Sequence, residues 1–71
     1  MTVTLERWKG KDNSNVIAEI SQDKFSSSYD VLIGQTEGYR FYTTFKGNYC
    51  TMKSARQAIK RRGNFKKVAE V

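Results

Sequence analysis

Residues 51–62 read TMKSARQAIKRR, and this stretch decides the fold because it is the one clear helix signal in the chain. At about 100° per residue, its apolar side chains fall on one side of a helix. They are Met52, Ala55, Ala58 and Ile59. Its cations Lys53, Arg56 and Lys60 fall on the other side. The apolar side needs a sheet to pack against, and the basic side can receive an acidic partner.

Both ends of this helix carry recognisable signals. Thr51 is the predicted N-cap, because a threonine hydroxyl can accept a hydrogen bond from a backbone N–H of the first turn. Residues 54–57, SARQ, are an alternative capping box one turn later. The last turn, Lys60–Arg62, places cations where they complement the helix dipole. Gly63 is predicted to end the helix as its C′ residue, with Phe65 folding back against it.

In the chain before the helix, apolar and polar side chains alternate in the way that is typical of strands. The predicted strands cover residues 2–9, 15–21, 29–34 and 39–46. The last one has the clearest alternation, with Tyr39, Phe41, Thr43 and Phe45 on one face and Arg40, Tyr42, Thr44 and Lys46 on the other. Gly38 precedes it in a tight turn that needs a positive φ. The predicted fold class is α+β, a four-stranded antiparallel meander followed by one helix packed on the sheet (ββββα). Residues 65–71 are a candidate short fifth strand.

The helix should cover the apolar face of this sheet. The expected contacts of its four apolar residues are Ala18, Ile20, Val31, Ile33, Tyr39, Phe41 and Phe45.

Length and composition limit the class of protein. The 71 residues form a single expected domain, residues 1–71, with one cysteine and no histidine. No intramolecular disulfide or zinc-ligand spacing can therefore be built, and no metal or other cofactor is expected. A lone thiol fits a reducing, cytoplasmic location. The longest apolar runs have three or four residues, against about 20 for a membrane span, so no membrane association is expected.

The net charge of +6 is concentrated in the last third of the chain. Residues 1–45 hold five basic and six acidic residues, whereas residues 46–71 hold eight basic residues and Glu70 as the one acid. This asymmetry favours attraction to a polyanion, which can be a nucleic acid or an acidic protein surface. Solubility alone is the simpler explanation.

Catalysis is not expected. Without histidine, acid–base chemistry would need paired carboxylates in a cleft, and the carboxylates here are scattered. Cys50 has no base beside it in sequence, and Gly47 and Gly63 are isolated rather than parts of a phosphate-binding loop. A chain of this length is also expected to lack a pocket of a few hundred Å³.

Two surfaces are candidates for binding. The first is the basic helix with its neighbours, and its predicted residues are Lys53, Arg56, Lys60, Arg61, Lys46, Lys66 and Lys67. Arg62 is expected to lean towards the apolar side instead. The second is a platform on the sheet face turned away from the helix, formed by Trp8, Arg40 and Tyr42. Aromatic and basic side chains can stack on bases and contact phosphates, but the same face can also bind a second copy of the chain.

Residues 47–59, GNYCTMKSARQAI, resemble the strand-to-helix junction of ethylene-response-factor type DNA-binding domains and related integrase arm-binding domains. The shared pattern is Gly-x-aromatic-x-Thr, followed by small residues at the packing positions of a helix laid on a sheet. Residues 17–20 resemble their second strand. The resemblance implies a sheet that reads the major groove and a helix that supports it. It assigns packing roles to Thr51, Ala55 and Ala58, and no base-reading residue, because the paired strand arginines of those families have no counterpart here. The ββββα order is also similar in topology to single-stranded DNA-binding proteins of the Whirly and transcription-coactivator class.

Three functions remain open from the sequence. The first is a small non-catalytic module that binds nucleic acid, DNA before RNA, through its basic C-terminal helix. The second is a protein-binding modulator or inhibitor, for example a virus-encoded one, that docks its basic face on an acidic partner. The third is a structural homodimer through the uncovered sheet face.

Overall fold

The computed structural model describes residues 2–23, 25 and 27–70 of the chain. Within these residues it has five strands and one helix. In chain order they are β1 (Thr2–Gly10), β2 (Val16–Asp23), β3 (Tyr29–Glu37), β4 (Arg40–Tyr49), α1 (Met52–Arg62) and β5 (Phe65–Glu70). The predicted ββββα order is confirmed, and the candidate fifth strand is a strand.

The five strands form one antiparallel sheet in the order β4-β3-β2-β1-β5. The first four pair as a meander, and β5 returns after the helix to pair with β1 on its free side. Gly38 has φ 61° in the turn between β3 and β4, as predicted. A left-handed residue there lets a short turn join two twisted strands.

The helix begins and ends close to the predicted residues. Thr51 is the N-cap, and its hydroxyl oxygen accepts a hydrogen bond of 3.1 Å from the backbone N–H of Ser54. At the other end Gly63 follows the last helical residue in an extended conformation, with φ 163°. Phe65 packs against the core beyond it.

The core lies between α1 and the middle of the sheet. Ala55 and Ile59 of the helix are fully buried, and Ala58 is also buried. Opposite them lie the buried residues Ala18, Ile20, Val31 and Ile33, as predicted, together with Trp8. Partly buried side chains complete the core at its rim: Val16, Tyr29, Phe45, Tyr49, Met52 and Phe65. Small alanines on the helix allow it to approach the sheet closely.

Two aromatic residues expected beneath the helix are elsewhere. The pairing of β3 with β4 slips by one residue between Ile33 and Gly34, which leaves Thr44 as an extra residue. Such a bulge reverses the faces of every residue beyond it. Phe45 therefore packs on the core, whereas Phe41 lies on the opposite face, 45% exposed. Tyr39 lies in the turn and is fully exposed. The predicted contacts of Phe41 and Tyr39 with the helix are wrong.

Gly34 accommodates this rearrangement. A Cβ atom at Gly34 would lie 2.2 Å from Cζ of Phe41 and 2.6 Å from the carbonyl oxygen of Tyr42. The missing side chain thus leaves space that the Phe41 ring occupies, as aromatic residues do over glycine in other sheets.

Candidate nucleic-acid interface

The exposed cations of α1 form the first candidate surface. Lys53 and Lys60 are exposed and lie about 20° apart around the helix axis, and Arg61 is exposed about 100° further on. The helix contains no acidic residue. Lys67 of β5 pairs with Trp8 of β1, so it projects on the same side of the sheet as the helix. We call Lys53, Lys60, Arg61 and Lys67 the helix-side basic surface.

Arg56 does not point to solvent as predicted. Its Nε donates a 3.2 Å hydrogen bond to Oε1 of Glu6, and its Nη2 donates to Oε2 of the same carboxylate. Glu6 lies on β1, and its side chain is only 3% exposed. Trp8 Nε1 also donates to Oε1 of Glu6, at 3.3 Å. Arg56 therefore ties the helix to β1 while half of its side chain remains accessible.

This ion pair explains the electrostatics of the buried carboxylate. The hydrogen bond from Arg56 lowers the pKa of Glu6 below its ordinary value. Burial acts in the opposite direction, while the charges of Arg56 and Lys67 and the hydrogen bond from Trp8 lower the pKa further. Glu6 is therefore ionised at neutral pH, and its charge is neutralised inside the fold rather than at the surface.

The sheet places the remaining predicted basic residues on the face opposite α1. Lys46 pairs with Leu32, and Lys66 pairs with Lys9, so these lysines project away from the helix. The three lysines Lys9, Lys46 and Lys66 are exposed, and Leu32 is half-buried. The predicted basic patch is therefore two surfaces rather than one.

The predicted sheet-face platform is not assembled on the open face, by which we mean the sheet face opposite α1. Trp8 is 8% exposed and belongs to the core beneath the helix. Arg40 pairs with Glu37 and Tyr42 with Gln35, so both lie on the helix side of the sheet, beyond the Thr44 bulge. All three residues therefore lie on the helix side of the sheet, whereas the prediction placed them on the open face.

A different set of residues forms the open face. Ile17 and Leu32 are half-buried there, and the Phe41 ring lies over Gly34 beside them. The charged residues around them are Arg7, Lys9, Lys46, Lys66, Glu19 and Asp30. Arg7 and Glu19 form an ion pair, with 3.3 Å between Nε and Oε1. Sequence alternation missed Phe41 because the bulge has no sequence signal of its own.

A cavity of about 340 Å³ opens between α1 and β4. Its walls are Phe45, Tyr49, Ser54, Gln57, Ala58, Arg61 and Arg62. Cζ of Arg62 lies 3.8 Å from the centre of the Phe45 ring, which agrees with the prediction that Arg62 leans towards the apolar side. The expectation that so short a chain lacks a pocket of this size is wrong, because side chains of β4 and α1 enclose this volume between them.

The described residues also bear on metal binding, thiol chemistry and membrane association. Among those residues, no three histidine, cysteine, aspartate or glutamate side chains come together in a way that could hold a metal ion. Cys50 is a free, exposed thiol. No helix in the described residues is long and apolar enough to cross a membrane.

Comparisons with protein-family models, with curated proteins and with solved structures found no match. The resemblance of residues 47–59 to sheet-plus-helix DNA-binding domains stays a prediction. The helix does place Ala55 and Ala58 in the core and Thr51 at its N-cap, which are the packing positions that the resemblance assigned.

Proposed function

We propose that this protein is a small, non-catalytic nucleic-acid-binding module that contacts phosphates through its helix-side basic surface. One observation carries the proposal. Glu6 of β1 is buried and neutralised by Arg56, and α1 itself carries no acidic residue, so the exposed cations of the helix face solvent without an acid on the same helix. A solvated helix face usually alternates acids with bases, and this one does not.

The chemistry of such a surface suits a phosphate backbone. Lysine ammonium groups attract phosphates without reading bases, and each neutralised phosphate releases a condensed counterion. Binding should therefore weaken steeply as salt rises. DNA is the first ligand to test, because the resemblance of residues 47–59 is to DNA-binding domains.

The decisive variant reverses the charge of two exposed lysines on the helix without touching its packing. Lys53→Glu with Lys60→Glu should reduce affinity for DNA more than about tenfold at moderate salt and flatten the slope of log affinity against log salt by about 2. Arg56 is left intact, because changing it would leave the buried Glu6 carboxylate without its main partner and disturb the fold. Fluorescence anisotropy over a series of salt concentrations measures both quantities.

The matched control is Lys9→Glu with Lys11→Glu, which makes the same change in net charge away from the helix. Both residues are exposed. If this control weakens binding as much as the helix variant, the surface assignment fails. If the unaltered protein binds no nucleic acid but captures an acidic protein, the proposed function fails and a protein-binding module replaces it.

A further inference from the structure

The cavity between α1 and β4 shares Arg61 with the helix-side basic surface and adds aromatic and further polar side chains to it. Its wall includes the aromatic rings of Phe45 and Tyr49, both half-buried, and the guanidinium groups of Arg61 and Arg62. Ser54 and Gln57 add a hydroxyl and an amide. A concave site with an apolar floor and a few convergent polar groups is the usual form of a small-ligand site.

The two arginines of the cavity differ from Arg7 and Arg56, which are held in ion pairs. Arg7 is paired with Glu19, and Arg56 is paired with Glu6. Among the described residues, neither Arg61 nor Arg62 forms an ion pair. Arg62 also borders a second, smaller cavity that includes Asp12, but these two side chains do not form a salt bridge. The larger cavity thus has two guanidinium groups available for an anion.

Arg62 is held in a position that suits stacking. Its guanidinium lies over the Phe45 ring at 3.8 Å, so one face is covered by an aromatic ring. A guanidinium stacked in this way keeps its edge donors and its other face for a ligand. Unstacked bases in single-stranded nucleic acids pack against arginine planes and aromatic rings.

The helix dipole opposes anion binding here, because Arg61 and Arg62 lie in the last turn of α1. The C-terminal end of a helix carries about half a negative charge, and two full positive charges outweigh it. The site therefore remains attractive to a phosphate.

We propose that this cavity holds one unstacked nucleotide, with its phosphate on Arg61 and Arg62 and its base against Arg62 and Tyr49. The inference rests on the proposed function and names its substrate class, which is single-stranded nucleic acid. A volume of about 340 Å³ accommodates one nucleotide and not a base-paired stack. In a duplex the bases stay stacked and cannot reach the aromatic floor. A free nucleoside monophosphate shares the chemistry of the ligand.

Two variants test the cavity without changing the net charge. Arg61→Lys with Arg62→Lys keeps both charges but removes the planar donors, and Gln57→Trp fills the cavity from an exposed position. The control, Arg7→Lys with Arg40→Lys, makes the same chemical change away from the cavity. Thermal unfolding establishes that each variant is folded. The probes are a thymidine oligonucleotide of about 12 residues, the corresponding duplex and thymidine monophosphate.

Each cavity variant should weaken binding of the single strand about tenfold and binding of the duplex less than about twofold. The control should change neither by more than about twofold. Thymidine monophosphate should shift the amide NMR signals of Gln57 and Tyr49 in the unaltered protein.

Equal single-strand affinity in the cavity variants and the control would overturn the inference while leaving the proposed function standing. Shifts with the mononucleotide but no binding of any strand would support the cavity and overturn the nucleic-acid function. If the mononucleotide gives no shifts but both cavity variants lose single-strand affinity while the control does not, the inference stands for the strand.

Discussion

The two faces of the sheet use the same kinds of residue in opposite ways. On the face covered by α1, isoleucines are fully buried and the Glu6–Arg56 ion pair has its carboxylate inside the protein. On the open face, Leu32 is only half-buried and the Arg7–Glu19 ion pair is largely solvated. We infer that contact with the helix, more than residue type, determines how much each side chain contributes to the free energy of unfolding.

The largest expected effect compares two aliphatic residues of neighbouring strands. Ile20→Ala on the covered face should lower the free energy of unfolding by about 2–5 kcal/mol, because the substitution leaves a cavity in the core. Leu32→Ala on the open face should cost about 1 kcal/mol, since its side chain is already partly hydrated. Urea denaturation measures both.

Equal losses at the two positions would mean that the open face is covered in solution. In that case the protein would be a dimer, which sedimentation would detect. This outcome would support the homodimer hypothesis, with Phe41 and Leu32 in the interface.

A smaller effect compares the two ion pairs. Arg56→Met should cost about 1–3 kcal/mol, because it leaves the Glu6 carboxylate buried without its main partner. Arg7→Met should cost less than about 1 kcal/mol, since exposed pairs are screened by water and salt. Urea denaturation distinguishes the two variants. Similar losses of unfolding free energy would show that the Glu6 carboxylate is more accessible to water than its 3% exposure indicates.

The smallest effect is the pH dependence that Glu6 confers. Because its folded pKa is lowered by Arg56, Glu6 contributes stability above its ordinary pKa of about 4.3, and that stability is lost as the pH falls through the folded value. The midpoint temperature of thermal unfolding should therefore decrease as the pH is lowered below about 4.3.

Glu6→Gln is the control for this titration. The unfolding temperature of this variant should depend less on pH below about 4.3 than that of the unaltered protein. At neutral pH the variant should be less stable than the unaltered protein. A variant that loses stability with acid as steeply as the unaltered protein would show that other carboxylates cause the effect.

Sequence periodicity predicted the helix, its N-cap and four of the core strand positions, because each depends on neighbours within one or two turns of chain. It failed where two distant segments had to be aligned. Alternation placed Phe41 beneath the helix and Arg40 outside, and the Thr44 bulge reversed both. The pairing of Arg56 with Glu6 joins residues 50 positions apart, so no local pattern could show it.

The candidate site shows the same division. The basic residues, their number and their concentration after position 45 are plain in the sequence. The sequence does not show that these residues lie on two different surfaces. Lys46 and Lys66 lie on the open face of the sheet, and Lys53, Lys60 and Arg61 lie on the helix side. The cavity between α1 and β4 also has no sequence signal, because it depends on the space between two elements.

Backbone preference and side-chain charge are local properties, so the strands, the helix and the amount of positive charge can be assigned from the chain alone. Which charges are neutralised, which aromatic residues are exposed and where a cavity remains follow from the tertiary fold. Those outcomes depend on register and on the packing of a helix against a sheet. Both are set by contacts between residues far apart in the chain.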